Sequence, residues 1–205
     1  SPDGKILATG SFDKTARLWN AADGSLIATL KGHTGGIRRL AFSPDGKVLV
    51  TASQDKTVKL WDVESHRLLK TLITRDLPII YLAVSPDGTM LATCTGIVTP
   101  RTKGALTLWD IETGMEIRTI QQDVFGSPAF SPDGALLACR DQQRNVTLFD
   151  VATGKALRIL KDTHNGSWVK FSPDGRQVAS AYTDGTVKLN DVATGHLRTE
   201  LLGHK

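Results

Sequence analysis

The chain is short of the residues that most often announce chemistry. In 205 residues it holds two cysteines, two methionines and five histidines. Cys94 and Cys139 stand outside any C-x-x-C or His-rich setting, so neither a zinc site nor a disulfide framework is encoded, and each falls on an apolar segment where a buried, inert thiol is expected. No two histidines show metal-ligand spacing. No apolar run reaches about 18 residues, which excludes a membrane-spanning helix, and no charged, apolar leader opens the chain. The G-x-S-x-G elbow, the Walker loop, G-x-G-x-x-G and H-E-x-x-H are all missing. With them go the sequence signs of a serine hydrolase, a nucleotide enzyme and a zinc protease, and no cofactor is implied. The net charge is +4, but no basic run exceeds Arg38-Arg39, which falls short of the clustered stripe that marks nucleic-acid binding. Helical periodicity is absent throughout.

What the chain does have is a repeat. Ser-Pro-Asp-Gly occurs at 1–4, 43–46, 85–88, 131–134 and 172–175, at intervals of 42, 42, 46 and 41 residues. A second marker keeps the same rhythm: Trp19-Asn20, Trp61-Asp62, Trp109-Asp110, Phe149-Asp150 and Asn190-Asp191. An apolar residue stands 11 positions after each of these: Leu30, Leu72, Ile120, Leu160 and Leu201. Repeats of 20–50 residues signal a stacked architecture.

One period reads as four short strands. Ile37 to Phe42 is apolar; Ser43 to Gly46 is a turn, with proline presetting φ and glycine accepting a positive one. Val48 to Ser53 is β-branched and small, Asp55-Lys56 makes a tight reversal, Thr57 to Trp61 alternates polar and apolar, and Leu68 to Leu72 closes the unit. A lone four-stranded sheet cannot bury both faces, whereas radial stacking can. The expected fold is therefore all-β: a β-propeller of four-stranded antiparallel blades, about five in number, at 1–30, 35–72, 77–120, 124–160 and 165–202. The first lacks its inner strand, and 203–205 begin a further repeat.

Gly32-His33, Ser53, Asp55 and Trp61-Asp62 together resemble the full signature of the WD-repeat family, and the resemblance extends over essentially the whole chain. It implies a hydrogen-bonded structural network of His33, Ser53, Asp55 and Trp61 inside one blade. Other blades keep parts of it: Ser11, Asp13 and Trp19 in the first, Asp184 in the fifth. Seven blades are usual in the family, so the expectation is a fragment of a larger ring, with open ends able to self-associate. The simple repeats also resemble, weakly, those of bacterial multidomain WD proteins.

The acidic residues fit structural roles. Of 17 Asp, 12 fall in the Ser-Pro-Asp-Gly turns, after the Trp-equivalent, or in tight hairpins, where Asp bonds its own backbone. His66 and His196 read as solvated loop residues. The divergent segments are the loops entering the inner strands and the hairpins between second and third strands, including an insertion of about six residues near Gly96 to Arg101. They carry Arg75, Asp76, Arg101, Lys103, Asp123, Phe125, Arg140, Arg144, His164 and Trp168, with Arg38 expected at the mouth of the central channel. Arg and aromatic residues are enriched at interface hot spots. The expected function is a non-catalytic scaffold, cytoplasmic, binding a protein or peptide on this loop face, with no membrane or nucleic-acid partner. The alternative is a sensor or gating propeller attached to a hydrolase, peptidase or kinase domain, because Ser-Pro-Asp-Gly repeats also resemble those of TolB-type and prolyl-peptidase propellers.

Overall fold

Period-2 strands joined by tight reversals leave the chain one way to fold, a series of antiparallel meanders. The computed structural model describes residues 1–73, 77–95, 104–122, 124, 126–141, 143, 145–161 and 166–203. Among these there is no helix. The first blade has three strands, β1 (Ile6–Gly10), β2 (Ala16–Asn20) and β3 (Leu26–Leu30). The second is a four-stranded sheet, β4 (Ile37–Phe42), β5 (Val48–Ser53), β6 (Thr57–Asp62) and β7 (Leu68–Ile73). The third repeats that order with β8 (Ile79–Val84), β9 (Met90–Thr95), β10 (Ala105–Asp110) and β11 (Glu116–Gln122). The fourth has β12 (Ala129–Phe130), β13 (Leu136–Arg140), β14 (Val146–Asp150) and β15 (Ala156–Leu160), and the fifth β16 (Gly166–Phe171), β17 (Gln177–Tyr182), β18 (Val187–Asp191) and β19 (Leu197–Leu201). Inner strands β4, β8, β12 and β16 adjoin one another in turn, and the blades form an open arc.

The core lies between the sheets. Strand alternation sends Leu49 and Trp61 back against Ala16, Leu18 and Leu30 of blade one. It sends Val50, Ala52, Val58 and Leu60 forward against Ile79, Leu91 and Trp109 of blade three. The same division joins blades three and four, where Cys94 and Cys139 meet beside Leu106, Leu108, Leu137 and Phe149, and blades four and five through Leu148, Leu160, Val169 and Val178. Both thiols are free and buried.

The turns on one side lock this stacking. In each Ser-Pro-Asp-Gly turn the serine hydroxyl donates to its aspartate at 2.5–2.6 Å. The glycine, at φ of 70–76°, donates its N–H back to the serine carbonyl at 2.9–3.0 Å. Each of these glycines after the first lies against the proline of the preceding blade's turn: a β-carbon on Gly88 would stand 3.3 Å from Pro44 Cδ, and one on Gly175 3.5 Å from Pro132 Cδ.

Burial at equivalent positions follows neighbour coverage. Leu30, Leu72 and Leu160 are 2–4% exposed, while Leu201 on blade five is 49% exposed. Truncating Leu108, which is fully buried between blades three and four, to alanine should cost about 2–5 kcal/mol of unfolding free energy. Leu201→Ala should cost no more than about 0.5 kcal/mol. Urea midpoints of the two variants check this; equal losses would mean that burial between blades is not what stabilises the arc.

Candidate functional site

The side opposite the proline turns is built by the loops that enter the inner strands, and blade two shows how its sequence holds them. Gly32 and His33 precede β4. His33 is buried, with Nδ1 2.9 Å from Asp55 Oδ2 and Nε2 2.8 Å from Thr51 Oγ1. Trp61 Nε1 donates to the same Thr51 hydroxyl at 2.9 Å. Every group is satisfied by one proton arrangement: the indole N–H donates to Thr51, the Thr51 hydroxyl to His33 Nε2, and His33 Nδ1–H to Asp55. In this arrangement the imidazole is neutral and carries its proton on Nδ1. Asp55 also accepts from the Thr34 and Thr57 amides and the Thr57 hydroxyl at 2.6–2.9 Å, which clamps the entering loop to the β5–β6 hairpin.

The strand hydroxyl in this relay is Thr51, in place of the expected Ser53. Ser53 instead donates to the Gly35 carbonyl at 2.8 Å and accepts from the Asp55 amide at 3.1 Å, bracing the loop one step away. The Trp–Thr bond recurs, from Trp19 to Thr9 at 2.9 Å and from Trp109 to Thr93 at 2.8 Å. Thr9, Thr51 and Thr93 keep the 42-residue spacing of the turns, a signal that would have exposed the relay in the sequence. In blade four both members are replaced together, by Cys139 and Phe149, and the thiol turns to the Gly126 carbonyl at 3.7 Å. In blade five Ser180 and Asn190 stand at these positions. Asn190 bonds the Gly195 carbonyl, and the buried Ser180 hydroxyl has no hydrogen-bond partner among the described residues. Ser11 accepts from the Asp13 amide, Asp13 holds the Thr15 amide and Arg17, and Asp184 accepts from the Thr186 amide, each within its own hairpin.

Of the proposed contact residues, Arg75, Asp76, Arg101, Lys103, Asp123, Phe125, Arg144 and His164 lie outside the described residues. Arg140 is not a rim residue: it is 1% exposed, with its guanidinium 5.0 Å from the Tyr182 ring of the next blade. That covering side chain comes from a different repeat, which local sequence does not show. Arg38 is exposed, and its guanidinium donates to the Gln54 amide oxygen, at 2.7 Å from Nη2, when that amide is turned toward it. Trp168, 51% exposed, stands on β16 and not in a loop.

Trp168 belongs to a cluster that the sequence reading missed. β4, β8 and β16 each carry a bulge at the same place, between Ile37 and Arg39, Ile79 and Tyr81, and Gly166 and Trp168. A bulge re-aims the side chain that follows it. Arg39, Tyr81 and Trp168 are all four residues before a Ser-Pro-Asp-Gly serine, as is Ser127 in blade four. The three large side chains converge: the Arg39 guanidinium lies 4.8 Å from the Tyr81 ring and 5.7 Å from the Trp168 ring, and the two rings meet edge to face at 5.9 Å. The equivalent residue of the intervening blade four is the small Ser127.

Comparison with known proteins supplies the family. The model described as "WD domain, G-beta repeat" matches residues 1–20, 24–62 and 154–191, a little under half of the chain. These stretches are repeats of the WD-repeat family. The matched stretches fall on blades one and two, on the outer strand of blade four and on the first three strands of blade five, and blade three lies outside them. Residues of the chain are 64% identical over 33 positions to human "WD repeat-containing protein 86", covering 16% of the chain and 9% of that protein. They are 51% identical over 35 positions to the Arabidopsis thaliana "Notchless protein homolog", covering 17% and 7%. They are 51% identical over 41 positions to the Candida glabrata "Pre-mRNA-splicing factor PRP46", covering 20% and 10%. The WD-repeat chain thus spans a tenth or less of the length of each of these relatives. No helix among its described residues is long and apolar enough to cross a membrane.

Two measurements test the relay. Thr51→Val removes the acceptor for the Trp61 indole and the donor to His33, and should cost about 1–3 kcal/mol; Thr51→Ser should recover most of it. Burial is the largest influence on His33 and pushes its pKa below the ordinary value, against the pull of Asp55. For Asp55 burial acts upward, but the Thr57 hydroxyl, the Thr34 amide and His33 outweigh it and hold the carboxyl well below the usual range. Both groups therefore bind fewer protons folded than unfolded. The contribution of His33 is complete above its unfolded pKa of about 6.5 and is lost as pH falls below that. Asp55 follows below about 4. Urea midpoints should drop between pH 8 and pH 5, and His33→Gln should flatten that part of the profile.

Proposed function

We propose that this WD-repeat chain is a non-catalytic interaction platform, cytoplasmic, that binds a protein or peptide partner on the face formed by the inner-strand loops and the second-to-third-strand hairpins. The observation that carries the reading is the contrast between the two sides of the arc. On one side five turns repeat the same hydrogen bonds and pack proline to glycine from blade to blade. On the other the segments differ in length and chemistry from one repeat to the next, and beside them stand the exposed Arg38 and the half-exposed Trp168. A rigid scaffold holding variable loops is how binding surfaces are commonly made. Two free, buried thiols suit a reducing compartment. The family match and the similarity to other WD-repeat proteins support a scaffold role.

A second reading has one observation in its favour. A 29-residue stretch is 62% identical to part of the Dictyostelium discoideum "Mitogen-activated protein kinase kinase kinase A", covering 14% of the chain and 3% of that protein. On this reading the blades are a sensor or gating module of a protein whose catalytic domain lies elsewhere.

The two readings share a test. Replacing Arg75, Arg101, Arg144 and Trp168 together with alanine should abolish capture of a partner identified with the wild-type chain, while thermal melting stays within a few degrees. Undiminished capture would sink the loop-face assignment. Capture of a kinase or hydrolase domain as that partner would favour the second reading.

A further inference from the structure

The Arg39–Tyr81–Trp168 cluster has a chemistry that stabilising the arc does not require. A partly buried guanidinium is costly unless it is paired, and Arg39 has no acidic partner among the described residues. Its Nη1 donates to the Arg38 carbonyl at 2.8 Å. Its Nε is buried without an acceptor among the described residues. With Nη1 committed and Nε shut off from solvent, Nη2 is the nitrogen left to donate a charge-assisted bond to an incoming carboxylate. The two rings offset part of the cost through cation–π attraction and hold the guanidinium plane in place.

Two more basic residues stand close to the cluster along the inner strands. Arg38 is the neighbouring bulge residue, and Lys170 stands two residues beyond Trp168, on the same side of β16 by strand alternation and exposed. Neither makes an ion pair among the described residues. The core-facing neighbours on β16 are Val169 and Phe171, so Trp168 and Lys170 turn away from the core together. On the other inner strands the position of Lys170 is filled by Ala41, Ala83 and Ala129, which are small and leave that level open.

We infer that the inner edge of the arc is a recognition site for an acidic peptide. A Glu or Asp side chain is gripped by Arg39 with Arg38 and Lys170 nearby, and its flanking chain lies on the exposed face of Trp168. This inference names the partner chemistry of the interaction platform proposed above and rests on that reading.

Fluorescence anisotropy with the whole chain tests it. The probes are a fluorescein-labelled peptide of alternating Gly and Glu and its Gly-Gln counterpart, each at low and moderate salt. The Glu peptide should bind at least tenfold more tightly than the Gln peptide. Arg39→Gln and Trp168→Ala should each weaken it at least fivefold. Arg39→Lys, which keeps the charge but loses the planar guanidinium held against the two rings, should also weaken it, and the remote exposed Lys155→Gln should not. Near-ultraviolet circular dichroism shows whether each variant is folded, and Trp168→Phe, which keeps an aromatic face, should retain binding if Trp168→Ala disturbs the fold. Equal binding of the two peptides, an unaffected Arg39→Gln, a loss with Lys155→Gln as large as with Arg39→Gln, or displacement by inorganic phosphate at equal concentration would each overturn the proposal. The loop-face reading survives any of these results, since partner capture tests it independently.

Discussion

A four-stranded sheet that is apolar on both faces has no stable existence alone; each face must be covered by another sheet. That constraint organises the molecule. It explains why the core comes in separate clusters between successive blades, and why the period-2 alternation within a strand addresses two different neighbours. It also explains why a leucine at one repeat position is buried in three blades and half-exposed in the fifth. The turn prolines and glycines serve the same end, since they set the contact between blades at the rim as the leucines set it in the middle.

Within these dry interfaces the polar groups must be paired. The indole of Trp61 is useful between blades because of its area, but it brings an N–H, and Thr51 is there to accept it. Blades one and three keep this pair, and blade four drops both members at once, so that nothing polar is stranded. Blade five drops only the tryptophan and leaves the Ser180 hydroxyl behind. His33 and Asp55 extend the pairing outward and turn a core interaction into an anchor for a loop, which is how the scaffold reaches the face where binding is proposed.

The architecture was legible in the sequence because it rests on two local patterns, turn chemistry and alternation, that recur at a fixed period. The members of the relay were legible only in part. Thr51 and Ser53 have the same parity on β5, so alternation cannot choose between them. The choice comes from the diagonal reach of Trp61, which is paired with Leu49 and leans toward the next residue on that face. Arg140 was misread for a related reason: a basic residue at a strand end reads as exposed until Tyr182 from the following repeat covers it. Arg39 and Tyr81 went unnoticed because their meeting depends on a bulge in both β4 and β8, which a single repeat does not display.

The same comparison separates residues that build the fold from residues that use it. A position serving only blade-to-blade packing is filled by apolar residues of similar size, as Leu30, Leu72, Ile120 and Leu160 are. The position four residues before each turn holds Arg39, Tyr81, Ser127 and Trp168, four side chains with little in common in size, charge or polarity. Packing alone gives no reason for a guanidinium between two rings with one nitrogen unpaired and one ring half in solvent. Recognition does, because a preorganised cation beside an exposed aromatic face loses little freedom when a ligand arrives. The rigid repeats supply the preorganisation, and the position at which they cease to resemble one another supplies the specificity.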